Sequence, residues 1–170
     1  MRYGIIVSLF VLLTAHEVSS AAQDSRPEQL VLAQAVAAIH NAEPEWRHIG
    51  GVCTCPKLMR EQLGVAVGTW HRSLNGSPDH MDVKVYSIAT AEGAARWIYG
   101  LAHGNVAKGW SVTDYKLGDD ATIATYFDTS AGLSYYEITV RKGRFLASIY
   151  GQSRDAVERF AQFLVTEMSK

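Results

Sequence analysis

The tetrapeptide Cys53-Thr54-Cys55-Pro56 holds the only two cysteines of the chain. In an oxidising compartment thiols pair, and within one chain each of these has a single partner, two residues away. A bridge across so small a ring must still meet a Cα separation of roughly 4.4–6.8 Å, so it is strained and more easily reduced than a structural bridge. It also closes almost no loop and adds little stability. Three chemistries stay open at Cys53 and Cys55: an inert local or intermolecular disulfide, thiol–disulfide exchange, or soft-metal binding. For the last, Met59 supplies a third sulfur suited to Cu(I), and His48 is close in sequence. Two cysteines are half of a four-cysteine zinc site and no second pair exists. The expectation is a chain without resident cofactor or metal, in which Cys53, Cys55 and Met59 are the residues a copper ion would use.

Other reactive types are scattered. His71, Asp79, His80 and Asp82 are types that bind divalent ions, but they flank a turn and lack the i, i+4 spacing of a helical metal motif. Asp119 and Asp120 are adjacent, and adjacent residues of an extended chain point to opposite faces, so a solvated turn is expected there. The chain has no Gly-x-Ser-x-Gly elbow, no His-Glu-x-x-His and no phosphate-cradling glycine loop. Aromatic residues are plentiful, with four tryptophans and eight tyrosines. Trp70 and Tyr135 fall on strand positions opposite those that read as core. With Arg72 and Arg141 they form a candidate ligand-binding set, joining ring stacking to positive charge. The alternative is that helices cover both sheet faces and bury them.

The elements that must position these residues begin after a hydrophobic leader. Arg2 precedes an apolar run from Gly4 to Ala15, too short for the roughly 20 residues of a bilayer span but suited to the core of a secretory signal. Small residues at Ser19, Ser20, Ala21 and Ala22 fit a peptidase site, so residues 1–22 read as a signal peptide cleaved after Ala21 or Ala22. The mature chain is expected to be secreted or periplasmic. Ser25-Arg26-Pro27-Glu28 matches a capping box ahead of a helix over 26–42, and Leu32, Ala35, Val36 and Ile39 share its apolar face. Residues 43–62 show no period and read as loop. Alternation from residue 64, turn chemistry at Asn75-Gly76-Ser77-Pro78-Asp79 and a second alternating run through Val83 and Val85 predict a hairpin. Thr90 caps a second helix with Ala94, Trp97, Ile98 and Leu101 on one face, closing near His103-Gly104. Four strands follow at about 111–117, 121–128, 133–141 and 144–150, and Ser153 caps a last amphipathic helix through Val157, Phe160, Leu164 and Met168.

The resulting fold class is α+β, with a mostly antiparallel sheet of about six strands covered by two or three helices. In this reading 23–63 is an N-terminal helix and cysteine-bearing loop packed on a core domain spanning 64–170. The segment Gly118-Asp119-Asp120-Ala121, then Val140-Arg141-Lys142-Gly143-Arg144 and the closing helix, resembles a pattern in uncharacterised secreted or periplasmic bacterial proteins. Over about residues 83–168 the layout is similar to PsbP-like α/β/α sandwiches and extracellular sensor domains. That resemblance implies a ligand-binding or accessory module more than an enzyme.

The chain has 170 residues, 48% of them apolar and 19% charged, so it reads as one globular domain. Its net charge of −1 supplies no positive excess for nucleic acid or an anionic membrane. The expected function is a secreted or periplasmic non-catalytic binding or accessory domain for a small molecule or protein. The alternative is a thiol–disulfide or copper-handling protein using Cys53 and Cys55. N-terminal sequencing of the exported protein is expected to begin at Ala22 or Gln23, and retention of Met1 on exported protein would overturn the cleaved-signal reading.

Overall fold

The structure, a computed structural model, describes residues 26–50, 61–74 and 77–170. The leader, the Asn75-Gly76 turn, Cys53, Cys55 and Met59 lie outside the described residues. The described residues form three helices and seven strands: α1 (Pro27–Ala42), β1 (Arg47–Gly50), β2 (Gln62–Leu74), β3 (Ser77–Ile88), α2 (Ala91–Ala107), β4 (Ser111–Tyr115), β5 (Asp120–Asp128), β6 (Leu133–Lys142), β7 (Phe145–Gly151) and α3 (Arg154–Met168). All strands join one antiparallel sheet in the order β1-β2-β3-β7-β6-β5-β4. The fold is α+β as expected, with seven strands where about six were read. The added strand is β1, whose Arg47, His48 and Ile49 are exposed and carry no apolar alternation. Pairing with His71, Trp70 and Thr69 of β2 makes it a strand. Among the described residues no helix is long and apolar enough to cross a membrane.

Period-two alternation assigns the two faces. Met81, Val83 and Val85 of β3, Ile138 and Val140 of β6 and Ala147 and Ile149 of β7 meet α1 and α3, which pack side by side. The opposite face meets α2, where Ala94 and Ile98 pack on Tyr86, Ile88 and Leu146 with Trp97 alongside. The molecule is therefore three layers, two helices over one face and one over the other.

Trp70 belongs to the larger core, against its reading as a residue of the open face. It is 1% exposed and meets Phe160 of α3 edge-on at 5.3 Å. Trp46 meets the same phenylalanine at 5.4 Å. In β2 the parity that looked apolar, Val65 and Val67, faces the thinner layer, while Ala66, Gly68 and Trp70 face the thicker one. The Trp70 ring lies back over Gly68, where an added Cβ would sit 2.7 Å from it. Two small residues and one large ring thus fill the space that valines were expected to fill.

Helix ends differ from expectation in two places. α1 starts at Arg26 without a side-chain cap, and Glu28, expected in a capping box, is turned inward at 1% exposure. There its carboxylate accepts a 2.6 Å bond from the buried Ser87 hydroxyl. α2 runs past His103-Gly104 to Ala107 and closes at Gly109, whose φ of 84° takes the left-handed turn that glycine permits. The N–H groups of Gly109 and Trp110 return to the carbonyls of Val106 and Asn105. Thr90 and Ser153 cap α2 and α3 as expected.

Truncating Trp70 opens a cavity between the sheet and α3. Trp70→Ala is expected to lower unfolding stability by about 3–5 kcal/mol, measured by urea denaturation, and a loss under about 1 kcal/mol would contradict its place in the core.

Candidate functional site

The four residues proposed as a ligand-binding set do not come together. Trp70 is in the core. Arg72 stacks its guanidinium 4.3 Å above the Trp46 ring and pairs with the buried Asp79 at 2.9 Å, which ties the segment after α1 to the β2–β3 hairpin. Arg141 bonds Asp120 at 2.7 Å and sits 3.4 Å from Asp119. Asp119 also accepts from Lys142 at 2.9 Å and from the Gly143 backbone at 2.7 Å, and these bonds hold its carboxyl below the ordinary range. At Gly118, with φ of 63°, an added Cβ would lie 2.4 Å from the Arg141 carbonyl, so only glycine lets these turns interlock. The Gly118-Asp119 and Lys142-Gly143 motifs are thus consumed in structure. Of the four, Tyr135 and Arg141 share the α2 face of β6, and Tyr135 alone joins a row of rings there.

That open face carries a continuous row of rings. Tyr135 stacks on Tyr150 at 5.6 Å with the planes 4° apart, and Tyr126 stands 6.5 Å from Tyr135. Trp110 stacks on Tyr126 at 5.5 Å and meets Tyr150 at 6.0 Å. His80 continues the row at 5.8 Å from Tyr150, with His71 at 6.5 Å beyond it. Every member except Trp110 sits on a same-face position of β5, β6, β7, β3 or β2. Trp110 arrives from the turn that closes α2, so the helix end at Gly109 places it. Among the described residues, no three His, Cys, Asp or Glu side chains converge in a metal-binding group.

Beside the rings a cleft of about 360 Å³ opens between α2 and the strands. Its wall is Gly100, Leu101, Gly104 and Asn105 of α2 with Lys108 just after it, and its floor is Asp82, Lys84 and Tyr86 of β3, Glu137 of β6 and Ser148 and Tyr150 of β7. Register sets the floor in rows: Tyr150 lies between Asp82 and Glu137, and Ser148 lies beside Lys84. Glu137 is held from two sides, accepting from Ser148 Oγ at 2.6 Å and from Asn105 Nδ2 at 3.1 Å. Asp82 accepts from Thr69 Oγ1 at 2.9 Å. Burial, with Tyr135, Asp82 and Glu137 nearby, pushes the Tyr150 hydroxyl up to about 12, and burial with Glu137 raises that of Tyr86.

A larger hollow of about 670 Å³ lies on the other side of α2, over the β4–β5 turn. Two of its carboxylates, Asp119 and Asp120, are already paired to Lys142 and Arg141. The cleft residues escape sequence reasoning as a group because four elements contribute to them. One signal was present: Tyr135, Glu137 and Thr139 share a strand parity that reads as wet. Extending that parity to Ser148 and Tyr150, and to Asp82, Lys84 and Tyr86, outlines the floor.

The raised Tyr150 value has a definite sign. An unfolded tyrosine ionises near 10, so the stability linked to the protonated phenol is whole below about pH 10 and is lost as pH climbs through about 12. Ultraviolet phenolate titration is expected to show a late transition near pH 12 that Tyr150→Phe removes, and an unchanged curve would contradict its burial against Asp82 and Glu137. Compared with known proteins, the chain matches no family model, no curated protein and no solved structure.

Proposed function

We propose that this protein is a secreted or periplasmic, non-catalytic binding module that holds a small ligand in the cleft between α2 and strands β3, β7 and β6. One observation carries the reading: the cleft has an oriented polar floor and a wall that is kept bare. Gly100 and Gly104 lie inside α2, where each glycine costs about 1 kcal/mol relative to alanine. A Cβ on Gly104 would meet nothing within 4 Å, so no contact within the described protein requires glycine there. The vacant space is ligand-sized, within the roughly 300–1,000 Å³ of small-molecule sites. Export rests on the leader sequence, and the mature chain would meet its ligand outside the cytoplasm.

Ser148 and Glu137 are in the contact expected of a nucleophile and its base, which raises hydrolysis as a rival. Two features favour binding over it. Both residues lie on interior strands whose neighbours take up the backbone N–H groups in the ladder, so none is free to stabilise an oxyanion. Glu137 is also restrained by Asn105, which suits a fixed acceptor better than a mobile base.

Gly104→Ala and Gly104→Leu separate the roles of the wall. Gly104→Ala is expected to raise helix stability by up to about 1 kcal/mol, read by thermal denaturation, because the added methyl has room. Gly104→Leu is expected to fill the cleft and abolish ligand binding in saturation-transfer NMR against a metabolite library. A library in which every bound compound binds wild type and Gly104→Leu equally would overturn the assignment of the cleft.

A further inference from the structure

The groups left open in the cleft are specific about chemistry. Tyr86 is only 5% exposed, lines the cleft, and has no hydrogen-bond partner for its hydroxyl among the described residues. That hydroxyl opens onto the cleft, where it can donate to or accept from a ligand. Lys84, set between Val67 and Ser148 in the sheet, makes no ion pair among the described residues. Asp82 bonds Thr69 through Oδ1, leaving Oδ2 open. Tyr150 offers a phenol that stays protonated up to about pH 12 and therefore remains a donor.

The arrangement of these groups narrows the ligand. Two carboxylates, Asp82 and Glu137, and two ammonium groups, Lys84 and Lys108, cancel around the cleft, so neither a net anion nor a net cation is favoured. Donors and acceptors are also interleaved. Along one row the order is carboxylate, phenol, carboxylate, because Tyr150 is the cross-strand neighbour of both Asp82 and Glu137. Vicinal hydroxyl groups, each both donor and acceptor, match an interleaved row, and charged partners strengthen every such bond. Carboxylates already tethered by Thr69, Ser148 and Asn105 are oriented before the ligand arrives. Next to the row, Tyr150 contacts Trp110 and Tyr135, a ring surface on which the C–H face of a sugar can lie.

We infer that the cleft binds a neutral saccharide of one or two rings, its hydroxyl groups on Asp82, Lys84, Tyr86 and Glu137 and its apolar face against the Trp110 end of the ring row. This rests on the binding reading above and adds the ligand class. The test uses the full mature chain with cellobiose, maltose and N,N′-diacetylchitobiose, by calorimetry, saturation-transfer NMR and a glycan array, with glutamate and succinate as charged controls. The expected result is binding of at least one neutral saccharide, weakened tenfold or more by Trp110→Ala, abolished by Gly104→Leu and absent for the controls. No binding by any saccharide in solution or on the array would overturn the inference. Gly104→Leu-sensitive binding of glutamate or succinate in place of a saccharide would overturn the ligand class while leaving the cleft as the site. Saccharide binding that survives Gly104→Leu unchanged would overturn the placement, and with it the cleft as the binding site.

Discussion

The pairing of β3 with β7 makes one sheet of two local pieces. β1, β2 and β3 are joined through a hairpin and a short edge pairing, and β4 to β7 form a meander, each built from neighbours in sequence. Only the register of Met81 through Ser87 against Gly151 through Phe145 links them, across the whole length of α2 and three strands. Such a contact is slow to form, because a long loop must close before any burial rewards it. Once it forms, Val83 and Ile149 complete the large core on one face, while Asp82, Lys84 and Tyr86 come alongside Tyr150, Ser148 and Leu146 on the other. The candidate site exists only after this pairing, since its floor draws on both pieces.

The two faces divide the labour. Beneath α1 and α3, Trp46, Trp70 and Phe160 lock the strands to the helices, with Arg72 over Trp46 and the Arg159–Glu43 ion pair joining α3 to the end of α1. Polar groups on that side serve structure: Glu28 with Ser87 and Arg72 with Asp79 are paired within the protein. On the α2 side the pattern reverses, and several polar groups face open space with at most one protein partner. Rigidity on the first face holds the second face in register, which a site built from four elements needs.

Much of the fold was legible in the sequence because its signals are local. Thr90 and Ser153 as caps, the Gly118-Asp119 and Lys142-Gly143 turns, and the 3.6-residue spacing of Val157, Phe160 and Leu164 each act within a few residues. β1 was not legible, since four residues without alternation become a strand only when β2 lies beside them. Trp70 was misplaced for a related reason. Which parity of β2 is buried depends on ring volume shared between Gly68 and Trp70, and valine looks more like core than glycine does. Of the four residues read as a ligand set, Tyr135 alone lies in the ring row beside the cleft. Arg72 and Arg141 carry charges that look free in one dimension, and their acids, Asp79, Asp119 and Asp120, come opposite only through strand register.

The single helix over the second face has a consequence in simple widths. Seven strands spaced about 4.8 Å apart make a sheet about 29 Å across, whereas a helix with its side chains is about 10 Å wide. α1 and α3 together shade most of one face, but α2 alone shades about a third of the other. A strip of sheet must therefore stay uncovered on each flank of α2 whatever residues occupy it. Strand number and helix number dictate that an opening exists; the side chains at alternate positions decide only what it is lined with. Changes that preserve this count of elements can retailor the lining for another ligand without disturbing the layer that carries the stability.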